Sequence, residues 1–329
     1  MKTIAWMALF ALVVAGSTVA FGKDLSPREI YEQVAPGVVM VMGYAEGGGK
    51  GSGGTGSIIQ SDGLVLTNAH VVIEEQTGKP YARLSAFLKP VRVTGESKSD
   101  LARMVRAKVL AYSQPLDLAL LKLEGVTEAL PVVDLSESGL ARIGDHVVAI
   151  GHPEQGGLWT LTTGVISAEV DNFNGVRGKD VFQTETGLNR GNSGGPLLDG
   201  EGHMVGVNTA IARVAPDGLP ITSISFSLKS SVATKWLKDQ GVVLRGRQLP
   251  AGQTQSAADQ PPAQPPQPQP KPVSPPQADL SPKPTIKPQV IQPAPVRPYN
   301  LDELISDRAK TEADLDSMMS EMRGRMKGR

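Results

Sequence analysis

The chain of 329 residues contains no cysteine, which excludes disulfide scaffolds, cysteine-ligated zinc, iron–sulfur clusters and thiol catalysis. Aromatic residues make up only 4% of the chain, and 33 basic residues are balanced by 33 acidic ones. Because a chain without excess positive charge gains little by displacing counterions from a phosphate backbone, we expect no nucleic-acid binding. Abundant glycine (36 residues) with few aromatics favours many short strands joined by tight turns.

The first 22 residues have the layout of a secretory signal. Lys2 supplies a positive end, the apolar run Ile4–Ala15 follows, and small residues precede potential cleavage points before Phe21 or Lys23. The run is shorter than the roughly 20 residues of a membrane-spanning helix. We predict that residues 1–22 are a signal peptide, with no membrane span after its cleavage; an uncleaved anchor is the alternative. In both cases the rest of the chain is secreted or periplasmic.

Proline is unevenly distributed, since 16 of the 26 prolines lie between Pro250 and Pro298. Proline alternating with Gln, Ala, Lys and Ser favours extended polyproline II, so residues 250–299 are predicted to be a disordered linker, a semi-rigid stalk. Its PxxP segments are alternatively a ligand for a partner domain. The remaining residues 23–249 suffice for one large domain or a pair of β-barrels that share a core.

Residues 23–249 are rich in short β-branched runs separated by Gly, Asp-Gly or Pro, such as VVMVMGY from Val38 and HVVAIG from His146. This spacing, without alternating helices, predicts an all-β fold. Short flanking helices are predicted after the capping box that begins at Ser26 and over about residues 230–240.

Residues 300–329 form a predicted amphipathic C-terminal helix with Asn300 as N-cap. Its apolar residues, among them Leu301, Leu304 and Ile305, recur at helical spacing. One helix cannot bury such a stripe alone, so we expect docking on the preceding domain, self-association or partner binding. Our hypothesis is that this helix supports a homo-oligomer or docks a partner.

Three segments carry the candidate chemistry. His70 closes a predicted hairpin with an Asp62-Gly63 turn. Asp117 stands inside an apolar run and needs a partner, because burying an unpaired charge costs several kcal/mol. Ser193 lies among glycines, which allow backbone amides to point at the group that the serine attacks.

Together these residues meet the requirements of acyl transfer. A neutral serine hydroxyl is a weak nucleophile, and His70 can take its proton and return it to the leaving amine. Asp117 would fix the imidazole tautomer and stabilise the cationic form. The candidate oxyanion hole is formed by Gly191, Asn192 and Ser193.

The strings TNAHVV, DLALLKL and GNSGGPL, in this order and spacing, resemble trypsin-like serine proteases of the HtrA/Deg class. The resemblance covers about Leu25–Val243, and no PDZ domain is recognisable after it. It implies a chymotrypsin-like fold of two perpendicular six-stranded β-barrels with the triad in the cleft between them. It also implies a serine endopeptidase that cleaves unfolded or damaged polypeptides without metal or cofactor.

Substrate preference follows from the same resemblance. Gly187 stands where digestive trypsins carry the acid that binds Arg or Lys, so no carboxylate is expected for a basic side chain. The candidate substrate-binding residues are Gly187, Leu188, Ile224 and Phe226, which suggests small or medium aliphatic side chains before the cut. Lys229 departs from the family, which often has proline at this position.

Two alternative functions remain open. One is a low-turnover, chaperone-like or peptide-binding module on the protease fold. The other is an esterase, although the α/β-hydrolase kind needs GxSxG between a strand and a helix. The glycine-rich residues 49–54 formally fit GxGxxG but lead into a strand, so we interpret them as a mobile loop rather than a dinucleotide site. Residues 74–104 are interpreted as a surface hairpin, with a regulatory loop as the alternative.

Overall fold

A computed structural model describes residues 24–46, 51–135, 141–154, 156–211, 224–244 and 303–307. The predicted signal peptide, the proline-rich linker and most of the predicted C-terminal helix lie outside the described residues. The described part of the chain forms two closed antiparallel barrels of six strands each, which confirms the predicted double-barrel fold.

The first barrel is built from the N-terminal half of the described chain. Its strands and a small hairpin are β1 Val38–Tyr44, β2 Gly51–Gln60, β3 Leu64–Thr67, β4 Ile73–Glu74, β5 Lys79–Pro80, β6 Arg83–Leu88, β7 Met104–Ser113 and β8 Leu118–Leu123. The barrel closes in the order β1-β2-β3-β8-β7-β6, and β4 pairs with β5 separately. Side chains alternate along β1, so Val39 and Val41 fill this barrel while Met40 and Met42 face a second cluster. All seven residues of β1 are therefore buried.

The second barrel follows in the chain. Its strands are β9 His146–Gly151, β10 Thr160–Val170, β11 Val181–Thr184, β12 Pro196–Leu198, β13 Met204–Ile211 and β14 Ser225–Lys229. They close in the order β10-β11-β14-β13-β12-β9. One hydrophobic cluster runs from Met40 in the first barrel to Ile150 and Leu228 in the second. Trp159 joins the barrels further, because its Nε1 donates to Val38 O at 2.8 Å. The two barrels thus share a core.

Four short α-helices flank the barrels between residues 24 and 244 of the described chain. They are α1 Pro27–Val34, α2 Ala69–Val72, α3 Ser97–Asp100 and α4 Ser230–Asp239. The predicted capping box is present: Ser26 Oγ accepts from Glu29 N at 3.3 Å, and Glu29 Oε2 accepts from Ser26 N at 2.8 Å. Helix α4 confirms the second predicted helix and ends before Gly241, whose φ is +77°.

Two sequence interpretations were wrong. Gly51–Gly54, interpreted as part of a mobile loop, begin strand β2. Residues 83–88, interpreted as part of a surface hairpin, form β6, the sixth strand of the first barrel. The loop that follows β6 is ordered by Asp100, which is 1% exposed and accepts from the amides of Thr94 and Gly95 at 2.9 Å and 2.8 Å. The hydrogen bonds from these amides to the buried carboxylate keep this loop in one conformation although it contains no strand.

Lys229, where the resemblance leads us to expect proline, makes contacts that a proline would not make. Lys229 N donates to Asp180 O at 2.9 Å, a bond that proline lacks the hydrogen to make. Its Nζ lies 2.6 Å from Glu169 Oε2 on β10 and 5.1 Å from the centre of the Phe182 ring. The side chain therefore links β14 to β10 across the outside of the second barrel.

A short piece of the C-terminal segment packs on the first barrel. Residues 303–307 are helical, and Ile305 is 3% exposed within the shared hydrophobic cluster. It covers Gly51 at the start of β2, because a Cβ at that glycine would lie 2.7 Å from Ile305 Cγ2. Among the helices that the structure describes, none is both long and apolar enough to cross a membrane.

Candidate active site

His70 is delivered by a hairpin and a single helical turn. Strands β2 and β3 are joined by a turn in which Gly63 has a φ of +92°, which fits the predicted Asp-Gly turn. Helix α2 follows β3 after Asn68 and contains His70. The three other residues of this helix are buried. The His70 side chain is 49% exposed, so its ring is open to an approaching substrate.

Asp117 lies in the turn before β8 with a φ of +58°, a left-handed conformation that is costly for a residue other than glycine. Its Oδ2 accepts from His70 Nδ1 at 2.8 Å, and its Oδ1 accepts from His70 N at 3.0 Å. Its carbonyl oxygen accepts from Asn68 Nδ2 at 2.8 Å. These bonds hold the strained turn in place, and they supply the partner that the carboxylate was expected to need.

The carboxylate has a second partner that the sequence analysis missed. Thr209 Oγ1 on β13 donates to Asp117 Oδ2 at 2.7 Å, so the second barrel contacts the acid of the first. Burial raises the pKa of Asp117, but the hydrogen bonds from His70 and Thr209 outweigh burial and hold this pKa below its ordinary value. The ionised carboxylate accepts the proton on His70 Nδ1, which leaves Nε2 as the proton acceptor of the neutral ring.

Ser193 lies in the loop between β11 and β12, which depends on glycine. Gly191 and Gly194 have φ values of +98° and +84°, a region that most residues avoid. A Cβ at Gly191 would also collide with the carbonyl oxygen of His152. Gly194 N donates to Asn208 O at 2.8 Å, which ties the loop to β13. The glycines around the serine are therefore required by close contacts as well as by backbone conformation.

The loop between β11 and β12, which carries the candidate nucleophile Ser193 and is called the nucleophile loop below, rests against the elements that carry His70. Thr55 N on β2 donates to Ser193 O at 2.8 Å. Gly54 lies between helix α2 and this loop, because a Cβ at Gly54 would be 2.6 Å from Val71 Cγ2 and 2.9 Å from Ser193 O. In the described chain, His70 hydrogen-bonds to Asp117 and, through its carbonyl oxygen, to Ser52 but not to Ser193. Contacts between a nucleophile and its base commonly tighten when substrate binds.

The predicted oxyanion hole divides into two kinds of residue. Within the described residues, the amides of Gly191 and Ser193 donate to no other protein group. The amide of Asn192 instead donates to Asn189 O at 3.0 Å, inside the loop. Two unengaged amides beside a serine hydroxyl can receive the negative oxygen of a tetrahedral intermediate, and Asn192 shapes the turn that presents them.

A cleft of about 700 Å³ opens beside Ser193. Two of the four predicted substrate-binding residues, Gly187 and Leu188, line it. The charged residues of its described lining, Glu154 and Arg190, approach each other at 3.4 Å between Oε2 and Nε. The described lining therefore presents no unpaired carboxylate to a basic substrate side chain.

The structure does not bring the other two predicted substrate-binding residues into the described lining of the cleft. Phe226 packs its ring against Phe173, with ring centres 4.6 Å apart. Ile224 immediately precedes β14 and is partly exposed. Their contact with substrate stays a prediction.

The groups of this site suit nucleophilic acyl transfer by the protein's own side chains: a hydroxyl, a base with its carboxylate, and two amide donors. Among the described residues, no three His, Asp or Glu side chains are grouped to hold a metal ion.

Comparison with known proteins relates the chain to peptidases. Residues 54–207 match the family described as a trypsin-like peptidase domain. A probable periplasmic serine endoprotease DegP-like of Rickettsia conorii is 35% identical over 202 residues, which cover 59% of this chain and 35% of that protein. The putative serine protease HhoB of a Synechocystis strain is 41% identical over 170 residues, covering 50% of this chain and 36% of that protein.

A solved structure, an HtrA-type protease named AlgW with a tripeptide, matches with a TM-score of 0.53 and 29% identity. The match covers 65% of this chain and 63% of that one. The chain spans about a third of the length of the curated relatives. Residues 54–207 are therefore similar to a trypsin-like peptidase domain, and the matched region resembles serine proteases named DegP-like and HtrA-type.

Proposed function

We propose that this chain, which contains a trypsin-like peptidase domain, is an exported serine endopeptidase that cleaves unfolded or damaged polypeptides. The observation that carries the proposal is the pairing of His70 Nδ1 with Asp117 at 2.8 Å beside the loop that holds Ser193. Relatives named periplasmic serine endoproteases support an envelope location.

The proposed reaction has two stages. Ser193 Oγ attacks the substrate carbonyl carbon while His70 Nε2 accepts the hydroxyl proton. The amides of Gly191 and Ser193 bind the oxyanion, and each such donor lowers the barrier by about 3–4 kcal/mol. His70 then protonates the leaving amine, which departs and leaves an acyl-enzyme. In the second stage water attacks the acyl carbon while His70 takes its proton, and His70 then returns that proton to Ser193 Oγ as the bond to the acid product breaks.

The site is suited to substrates with uncharged side chains before the scissile bond. Gly187 and Leu188 offer an apolar wall and little bulk. Glu154, the acidic residue in the described lining, is held by Arg190. A basic substrate side chain would therefore lose its hydration without gaining an unpaired carboxylate, whereas an aliphatic one loses little.

The test is degradation of casein by the mature protein beside Ser193→Ala. A matched control is Ser167→Ala, because the Ser167 hydroxyl donates to Gln183 O on the exposed outside of β10. We expect cleavage by the wild type and by the control, and none by Ser193→Ala. Cleavage by all three would contradict the proposed nucleophile. Casein binding without cleavage by any of them would favour the low-turnover binding module.

For the C-terminal segment we propose docking on the chain's own domain, in place of the oligomer contact considered above. The near-complete burial of Ile305 against Gly51 supports this. Deleting residues 300–329 should leave the mass measured by light scattering unchanged and lower the melting temperature. A fall in mass to a smaller oligomer would contradict the proposal and favour self-association.

A further inference from the structure

The two barrels meet at Thr55, a residue outside the proposed triad and oxyanion hole. It lies on β2 of the first barrel and is completely buried. Its amide donates to Ser193 O at 2.8 Å, and its carbonyl oxygen accepts from Thr67 Oγ1 at 2.6 Å. Its hydroxyl donates to Gly191 O at 2.7 Å. One residue of the first barrel thus binds both backbone carbonyls that flank Asn192 in the nucleophile loop.

The direction of the hydroxyl proton is fixed by its surroundings. Gly191 O can only accept, so the Thr55 hydroxyl must donate to it. The same oxygen then accepts from His152 N at 3.2 Å and meets His152 Nδ1 at 3.0 Å. Because the hydroxyl proton is already committed, Nδ1 carries the ring proton. The hydroxyl thereby uses its one donor and both of its acceptor positions.

His152 is suited to this supporting role. It is 0% exposed, and its ring meets the Trp159 ring edge to face at 4.7 Å. Burial lowers the pKa of His152 to about 3, so the ring is neutral at physiological pH. A neutral ring that donates through Nδ1 orients the Thr55 hydroxyl without placing a charge beside the oxyanion hole.

Two hydrogen bonds, one to the carbonyl of the peptide before Gly191 and one to the carbonyl of the peptide after it, determine where the amide of Gly191 points. In a trans peptide the N–H lies opposite the preceding carbonyl. The carbonyl of Arg190 accepts from Glu154 N at 2.6 Å, so the Gly191 amide is directed away from Glu154. The next peptide is held by the bond from Thr55 to Gly191 O. Rotating Gly191 to withdraw its amide would break one or both of these bonds.

We propose that Thr55 is a positioning residue: its hydroxyl, oriented by His152, holds the Gly191 carbonyl so that the neighbouring amide stays available to the oxyanion. This inference rests on the proposed peptidase activity. It means that a residue of the first barrel positions the oxyanion hole, although both amide donors of that hole belong to the second barrel.

The experiment compares three variants with the wild type on a chromogenic peptide ester and amide. Thr55→Val removes the hydroxyl at constant shape, Thr55→Ser retains it, and Thr184→Val removes a buried hydroxyl that donates to Val165 O. We expect Thr55→Val to lower kcat by about 10²-fold with KM changed less than about threefold, because one oxyanion donor is misplaced. Thr55→Ser and Thr184→Val should stay within about threefold of the wild type.

A second readout separates this inference from the proposed function. Amide hydrogen exchange should show faster exchange at Asn192 and Gly194 in Thr55→Val than in Thr55→Ser, whether or not the protein turns over peptide. Wild-type protein without activity but with this exchange pattern would overturn the peptidase proposal and leave the loop contact standing. Equal kcat in Thr55→Val and wild type, or equal damage by Val and Ser, would overturn the positioning role.

Discussion

The two barrels contribute to the site in different ways. The first barrel presents His70 and Asp117 from two turns that bind each other directly, with the imidazole against the carboxylate. The second barrel presents Ser193 from a loop with two glycines at positive φ. That loop is tied to the opposite barrel through Thr55. The base and its carboxylate are therefore organised mostly within one barrel, whereas the nucleophile loop needs both.

The largest effect is expected when the hydrogen-bonded pair of His70 and Asp117 in the first barrel is broken. Asp117→Asn should lower kcat by about 10⁴-fold, because an amide no longer holds the imidazole in the tautomer with a free Nε2. The measurement is kcat on a chromogenic peptide. The matched control is Asp199→Asn. In the wild type, the Asp199 carboxylate lies 3.6 Å from His203 Nδ1 in the turn before β13. A similar loss in the control would show that any Asp–His pair matters and would contradict the assignment.

A second change tests how closely the nucleophile loop packs against His152, which follows β9 of the same barrel. Gly191→Ala places a Cβ against the His152 carbonyl and retains a φ of +98°, so we expect stability to fall by about 3 kcal/mol. Its kcat should fall by about 10²-fold as the oxyanion amide moves.

The control for this change is Gly175→Ala. Gly175 also has positive φ, at +73°, but a Cβ there meets nothing within 4 Å. It should lose about 1 kcal/mol of stability and keep its kcat. Chemical denaturation and peptide kinetics provide both numbers. Equal losses of kcat in the two variants would mean that the close contact of Gly191 with His152 is not what positions the oxyanion amide.

The smallest expected effect is on how the free energy of unfolding depends on pH, through His152 of the second barrel. The folded-state pKa of His152 is about 3, below the ordinary 6.5, so the unfolded chain binds a proton between these values and the folded chain does not. This contribution to stability is complete above pH 6.5 and falls by about 1.4 kcal/mol per pH unit below it. It amounts to about 2.7 kcal/mol lost at pH 4.5.

The His152→Asn variant retains a side-chain donor but has no group that titrates in this window. Urea unfolding between pH 4.5 and 7.5 should therefore show a flatter dependence on pH for the variant than for the wild type. Parallel curves would mean that His152 is accessible to protons in the folded protein.

The sequence alone was sufficient where a signal was local. The capping box at Ser26, the Asp62-Gly63 turn and the order of His70, Asp117 and Ser193 are all short motifs with a direct physical meaning. Strand β6 has no strict alternation of apolar and polar residues, and it is stabilised by pairing with β1 and β7 on both sides. Thr209 and Thr55 had no signal either, since their partners lie 92 and 136 residues away along the chain. Gly51–Gly54 misled for a related reason: glycine there serves close packing in a strand rather than a loop.

The order of the catalytic segments along the chain has a consequence for biosynthesis. Strand β8, the last of the first barrel, is complete at Leu123, well before Ser193 is added to the growing chain. The nascent chain therefore contains the proposed base His70 and its partner Asp117 for some 70 residues of synthesis before the proposed nucleophile Ser193 is added. Thr209, which completes the surroundings of Asp117, is added later still. The complete set of groups that we propose for peptide-bond cleavage is therefore present only after strands from both barrels have been synthesised.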